Sequence, residues 1–358
     1  MDIRKNFVAT GIMLCTLLQP SSSQDVRAID RILAAYGGES PGASLLIVRD
    51  GQVLLQRHYG YADLENKQPV SAATNFRLAS VSKQFTAACI LQLVHQGKLD
   101  LSTTIPEAFP EFPAYGNAVT VKHLLTHTSG IPDYEDYVAD TAFNPQIKDS
   151  GVLDILIQLD SGYFAPGTQH RYSNSGYALL ALMVEHYSSQ SFAAYLREHI
   201  FIPLGMTSTV AHEAEKTTVP ARAFGYSLLN GQWKRRDQSA TSAVLGDGGI
   251  YSNVMDLAIW DQALYGEDVL PAHWINESFA CHKLANGDNV PYGYGWHLKK
   301  TNSGEQVVYH TGSSTSFRNI FYRIPSRRFS IILLTNRNQP QEEDMLTLAE
   351  QVADLIFL

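Results

Sequence analysis

Ser80 stands three residues before Lys83 in the segment RLASVSKQF, residues 77–85. Leu78, Val81 and Phe85 surround the pair with apolar side chains, a setting in which lysine is seldom found without a partner. Ala87, Cys89-Ile90-Leu91 and Val94 continue an apolar helical pattern that Gly97 stops, so the spacing predicts a helix starting at Ser80 with Ser80 and Lys83 on one face. A serine in a first helical turn has backbone N–H groups and the positive helix end beside it, which suit developing negative charge. A desolvated lysine gives up its proton more readily and can then serve as the base that activates the serine. Taken alone, the spacing is equally that of a capping serine and a solvated lysine. Two further elements follow in chain order: Tyr172-Ser173-Asn174 in RYSNSGY, and His310-Thr311-Gly312 in YHTGSS. Together they offer a nucleophile, proton acceptors and hydrogen-bond donors, the set that acyl transfer needs, and they call for no metal and no cofactor.

The elements that must position these residues follow from periodicity. Val26, Ile29, Leu33 and Tyr36 recur at helical spacing from Asp25 to Tyr36, and Gly37-Gly38 ends the run. ASLLIVRDGQVLLQRHYG then reads as two strands joined by a hairpin turn at Asp50-Gly51. A long middle section reads as helices and loops. EQVVYHTG, SFRNIFYRI and RRFSIILLTN read as three more strands, and Met345, Leu348, Val352, Leu355 and Ile356 mark a closing amphipathic helix. The expected architecture is α+β: an antiparallel sheet flanked by the first and last helices, built from residues about 24–79 and 250–358, with a helical lobe over about 80–249. A cleft between the two parts is the natural place for a ligand.

At 358 residues the chain is long enough for one large compact unit or two intimately packed lobes. Arg4 and Lys5, the apolar run Phe7–Leu18 and the cluster Ser21-Ser22-Ser23 read as a secretory leader, residues 1–23, which predicts a secreted or periplasmic protein with no stable membrane anchor. The formal charge of −8 and the lack of a basic patch exclude nucleic acid as a partner. Cys89 and Cys281 would remain after removal of the leader; Cys89 fits a packed thiol better than half of a disulfide. His123 and His127 stand at i and i+4 but have no glutamate between them and no evident third ligand, so core hydrogen bonding is the better reading. GDGGIYSN lacks the ending of a phosphate loop and predicts a tight turn before a helix capped by Asn253. The aromatic and acidic stretch GIPDYEDYVADTAF, residues 130–143, is expected to border the cleft.

Three ordered elements of the form S-x-x-K, Y-x-N and x-T-G resemble the serine β-lactamase-like family, in particular class C β-lactamases and D-alanyl-D-alanine carboxypeptidases. VTVKHLLTHTSGIPDY, FAPGTQHRYSNSGYALLALMVE, IFIPLGMTST and GGIYSNVMDLAIW look like further segments of that family. The resemblance implies that Ser80 is acylated, that Lys83 is its partner, and that Tyr172 exchanges a proton with it, its phenol lowered below the ordinary value by the Lys83 cation. It further implies that Asn174 binds Lys83 and the substrate amide, and that the N–H groups of Ser80 and Ser313 form an oxyanion hole on a strand that pairs with extended substrate. His310 departs from the lysine usual in class C enzymes and removes a permanent positive charge. Arg318 is then a candidate holder of a substrate carboxylate, although a solvated strand-end charge explains it as well. The expected activity is hydrolysis of an amide or ester through an acyl-enzyme, with a D-amino-acid peptidase, carboxypeptidase or esterase ahead of a β-lactamase or a non-catalytic binding protein. The expected substrate is a small molecule or peptide, cell-wall peptides and β-lactams included.

Overall fold

The chain reverses at Asp50-Gly51, where both residues take positive φ, 50° and 75°, as a two-residue hairpin turn requires. The computed structural model describes residues 23–139 and 145–357, so all of the expected leader but its last residue, Ser23, lies outside the described residues, Cys15 included. The hairpin joins β1 (Ala43–Arg49) to β2 (Gln52–Tyr59). Four later strands complete the sheet: β3 (His297–Lys300), β4 (Gln306–Ser314), β5 (Phe317–Ile324) and β6 (Phe329–Thr335). The order is β3-β4-β5-β6-β1-β2 and every pairing is antiparallel. β1 therefore lies against β6, with Ala43 opposite Thr335 and Arg49 opposite Phe329.

Both faces of this strand pair are covered, which explains why SLLIV and FSIILL read as continuous apolar runs rather than alternating ones. On one face Leu45, Ile47, Ile331 and Leu333 pack with Ile29 and Leu33 and with Met345 and Val352. The first two follow from α1 (Ser23–Ile32) and the turn after it; the last two lie on the closing helix, Glu342–Phe357. On the other face Leu46, Val48, Ile332 and Leu334 join the larger core. That core holds α2 (Lys83–His95), α3 (Asn174–Ser188) and α4 (Val254–Ala263), and the closing helix is α5. α2 is buried without a break from Lys83 to Leu91, as a central helix must be.

Two expectations are refined. The first helix ends at Ile32 and a 3₁₀ turn, Ala34–Tyr36, carries the chain to Gly37. The helix expected from Ser80 begins as a 3₁₀ turn, Ala79–Ser82, and becomes α-helical only at Lys83. The cause is upstream: the Leu78 N–H donates to the Ile250 carbonyl at 2.8 Å, and Ala79 then takes a φ of +50°, which an α-helix cannot continue through. β3 was not read from the sequence. Asn253 caps α4 as expected, its Oδ1 accepting from the N–H groups of Met255 and Asp256. Cys89 and Cys281 are free thiols, the first buried. Among the described residues no helix is long and apolar enough to cross a membrane.

Candidate active site

The turn bearing Ser80 is pinned from three sides. Gly312 of β4 passes so close that an added Cβ would lie 2.1 Å from the Leu78 carbonyl oxygen, which is why the third element ends in glycine. Asn319 of β5 donates Nδ2 to the carbonyls of Arg77 and Leu78, at 2.8 and 3.2 Å. Gly248 lies against the Ala79 backbone. Positive φ at an alanine costs on the order of 1 kcal/mol, and this packing holds Ala79 there.

Lys83 is fully buried, and its Nζ donates to three acceptors: Ser80 Oγ at 3.0 Å, Asn174 Oδ1 at 2.8 Å and the Asp247 carbonyl at 2.9 Å. Burial drives its pKa below the ordinary lysine value, against the opposing pull of Asp247, Glu135 and Asp133. Asn174 opens α3, its own N–H donating to Asp133 Oδ2 at 2.7 Å. The Asp247 carbonyl belongs to a one-turn helix, Leu245–Gly248, clamped from two sides. The Asp149 carboxylate accepts from the N–H groups of Leu245 and Gly246, each at 2.9 Å. Thr86, one turn along α2 from Lys83, donates to the Gly246 carbonyl at 2.7 Å.

Tyr172 lies with its ring centroid 4.9 Å from Lys83 Nζ, and its buried hydroxyl has no hydrogen-bond partner. Here the expectation is corrected: burial raises the phenol well above its ordinary value of 10, outweighing the opposing effect of Ser80. The Lys83 cation that was to lower it is itself disfavoured by the same burial.

His310, Thr311 and Arg318 do not line the cavity at Ser80. His310 is buried; its Nδ1–H donates to the Thr311 carbonyl at 2.6 Å, so Nε2 is free to accept from the Tyr292 hydroxyl at 2.8 Å. Burial, with His297 and Lys83 nearby, holds it well below the usual histidine pKa, neutral behind Tyr172. Thr311 turns to the other face of β4 and donates to Glu342 of α5 at 2.6 Å. Arg318 donates to the carbonyls of Ser314 and Phe317, closing the β4–β5 turn instead of reaching into the cleft. Ser313 does reach the cavity. β3 pairs with β4 only as far as His297 opposite Tyr309, so among the described residues no strand covers that edge of residues 310–314.

The cavity has a volume of about 330 Å³ and its wall includes Ser80, Asn174 and Ser313. Tyr134, Glu135 and Val138 also line it, so the acidic aromatic stretch borders the cleft as expected. Arg77 and Asp247 were not foreseen. Asp247 accepts from the Tyr134 hydroxyl at 2.7 Å. Burial raises its carboxyl to about 7, and burial together with Asp247 and Asp133 raises Glu135 to about 7 as well. His123 and His127 serve the main chain: His123 Nδ1 accepts from the Thr120 N–H and His127 Nδ1 from the Ser173 N–H.

This fold and site place the chain among known proteins. The family model described as Beta-lactamase matches residues 29–354, and the chain belongs to that family of serine hydrolases. A penicillin-binding protein of Bacillus subtilis is 31% identical over 318 residues, covering 85% of this chain and 70% of that protein. The protein Flp of Staphylococcus aureus strain MW2 is 30% identical, and the chain spans 60% of its length. Among solved structures, the octameric penicillin-binding protein homologue of Pyrococcus abyssi superposes with a TM-score of 0.78 at 26% identity, over 93% of this chain and 77% of that one. The D-amino acid amidase of Ochrobactrum anthropi SV3 shares the fold, with a TM-score of 0.78 at 24% identity over 94% of this chain and 99% of its own.

Proposed function

We propose that the protein hydrolyses an amide bond beside a D-amino-acid residue, through an acyl-enzyme on Ser80. The observation that carries this reading is the set of partners around Lys83 Nζ. Asn174 Oδ1 and the Asp247 carbonyl can only accept, so a neutral Lys83 gives both its N–H groups to them. Its lone pair then faces Ser80 Oγ. Ser80 Oγ attacks the substrate carbonyl carbon as its proton passes to Nζ, and the N–H groups of Ser80 and Ser313 receive the oxyanion. The C–N bond breaks as the leaving amine takes a proton from the Tyr172 phenol, which Lys83 reprotonates. Water then repeats the sequence on the ester and releases the acid and Ser80. A phenol held above its ordinary pKa stays protonated at neutral pH and so enters the cycle as a proton carrier and not as a base, while the lowered pKa of Lys83 suits the base's role.

The D-amino-acid part of the reading rests on the penicillin-binding relative and on the family resemblance of the three sequence elements. The leader expected over residues 1–23 makes a secreted or periplasmic site of action part of the same proposal.

Intact-mass spectrometry over time with a penicillin, and separately with a D-alanyl ester, tests the reading, with Ser80→Ala alongside. The expected result is a lasting penicillin adduct and ester turnover, both absent in Ser80→Ala. A transient adduct with hydrolysed drug would make the protein a β-lactamase instead. No adduct and no ester turnover would end the acyl-enzyme reading.

A further inference from the structure

The segment 238–248 borders two cavities. Thr241, Asp247 and Gly248 wall the one at Ser80, while Gln238, Ala243 and Leu245 wall a second of about 510 Å³. That volume is in the range of small-molecule sites and exceeds the 330 Å³ at Ser80. Leu182 of α3 adds to its apolar wall. Its charged wall is unbalanced: Asp149, Glu185, Glu213 and Glu215 share it with Lys148 and Lys216. Lys216 is taken up by Glu213 at 2.8 Å, and burial holds His212 at about 4, so it is neutral. Three carboxylates then stand against one ammonium. Asp149 accepts from the N–H groups of Leu245 and Gly246 and Glu185 from that of Phe192, and among the described residues neither has an ion-pair partner. Burial raises the Asp149 carboxyl to about 6, and Glu185 pushes it the same way.

We propose that this second cavity is a site for a small organic cation, its ammonium beside Asp149 and Glu185 and its apolar body against Leu182 and Leu245, and that an occupant speeds acylation of Ser80. The link runs through the clamp already described. Asp149 holds the one-turn helix Leu245–Gly248, whose Asp247 carbonyl receives Lys83 Nζ. A cation beside Asp149 favours its ionised form, which is the better acceptor for both N–H groups. The carbonyl is then held more firmly behind Lys83. The occupant lies in a different cavity from the substrate and does not compete with it. The effect on acylation rests on the acyl-enzyme reading; the binding does not.

The unaltered protein suffices for the test, with 2-phenylethylamine and its neutral counterpart 2-phenylethanol as probes. Calorimetry should give the amine a Kd in the millimolar range and the alcohol one about tenfold weaker or worse, as a charge-assisted contact provides. A crystal soaked with 2-(4-bromophenyl)ethylamine should place the bromine's anomalous signal against Leu182 and Leu245. Saturating amine should raise the rate of Ser80 adduct formation with penicillin about twofold or more, and the alcohol should not. Equal binding of amine and alcohol, no binding of either, or bromine in the Ser80 cleft alone overturns the site. Bromine in the second cavity with an unchanged or slower adduct rate overturns the link to Lys83. A protein that forms no adduct with or without amine loses the acyl-enzyme reading and the link with it, and the bromine position still decides the site.

Discussion

Lys83 concentrates the chemistry of this site in one atom. Its three acceptors would suit an ammonium and its burial opposes one, so its protonation is the balance to probe. Lys83→Met should fold, because methionine fills a similar apolar volume. Its Ser80 acylation rate should fall by about 10²–10⁴-fold, the usual worth of a general base, as read from adduct formation against time. In the unaltered protein the acylation rate should climb with pH as Lys83 loses its proton, with a midpoint below the ordinary lysine value of about 10.4. A rate that is flat with pH, or survives in Lys83→Met, would remove lysine from the base's role. Ser80 and Lys83 were legible in the sequence from their i, i+3 spacing before an apolar helical run, and Tyr172 and Asn174 only through the resemblance of the second element to the family's. His310 and Arg318 were not, because the pleat of β4 and the turn after it decide which way each points. Arg77 was visible three residues before Ser80, but nothing local says that it lines the cavity.

Elements hold the reactive groups in place through backbone contacts that carry little sequence signal. β4 presses on the nucleophile turn through Gly312, and Gly312→Ala puts a methyl group where the Leu78 carbonyl oxygen stands. Overpacking of this kind costs about 1–3 kcal/mol. Gly312→Ala should therefore lower the melting temperature and slow acylation together, as calorimetry and adduct formation would show; an unchanged rate would mean that the turn does not depend on this contact. The Leu245–Gly248 turn, braced by Asp149 and Thr86, places the Asp247 carbonyl in the same indirect way. GDGG read as a tight turn; it is instead a one-turn helix, Leu245–Gly248, followed by a short strand, and its task of presenting a carbonyl to Lys83 arises only when α2 packs beside it. The 3₁₀ start before Lys83 was hidden for a related reason: its cause is the hydrogen bond from Leu78 to Ile250, far along the chain.

Over the whole molecule, buried carboxyls tie stability to pH. Asp247 titrates at about 7 in the fold and near 3.9 in an unfolded chain. Between those values the unfolded state is the one that has lost the proton, so this group's contribution to stability falls as pH rises from about 4 to 7. Asp247→Asn removes that loss. Its melting temperature relative to the unaltered protein should be most favourable above pH 7 and least so below pH 4, measured by calorimetry across the range. A difference that does not vary with pH would mean that Asp247 titrates normally. The architecture was largely readable, since the hairpin and the three late strands are apolar runs bounded by turn residues and the two terminal helices carry helical periodicity. β3, only His297–Lys300, was too short to register. One consequence of the sheet order concerns synthesis. β1 emerges early from the ribosome, yet its partner β6 lies almost at the other end of the chain. The interior strand pair cannot form on a nascent chain until nearly all of it is available. Folding is thus weighted toward a late, high-contact-order step, during which the apolar β1–β2 hairpin must be kept from other chains.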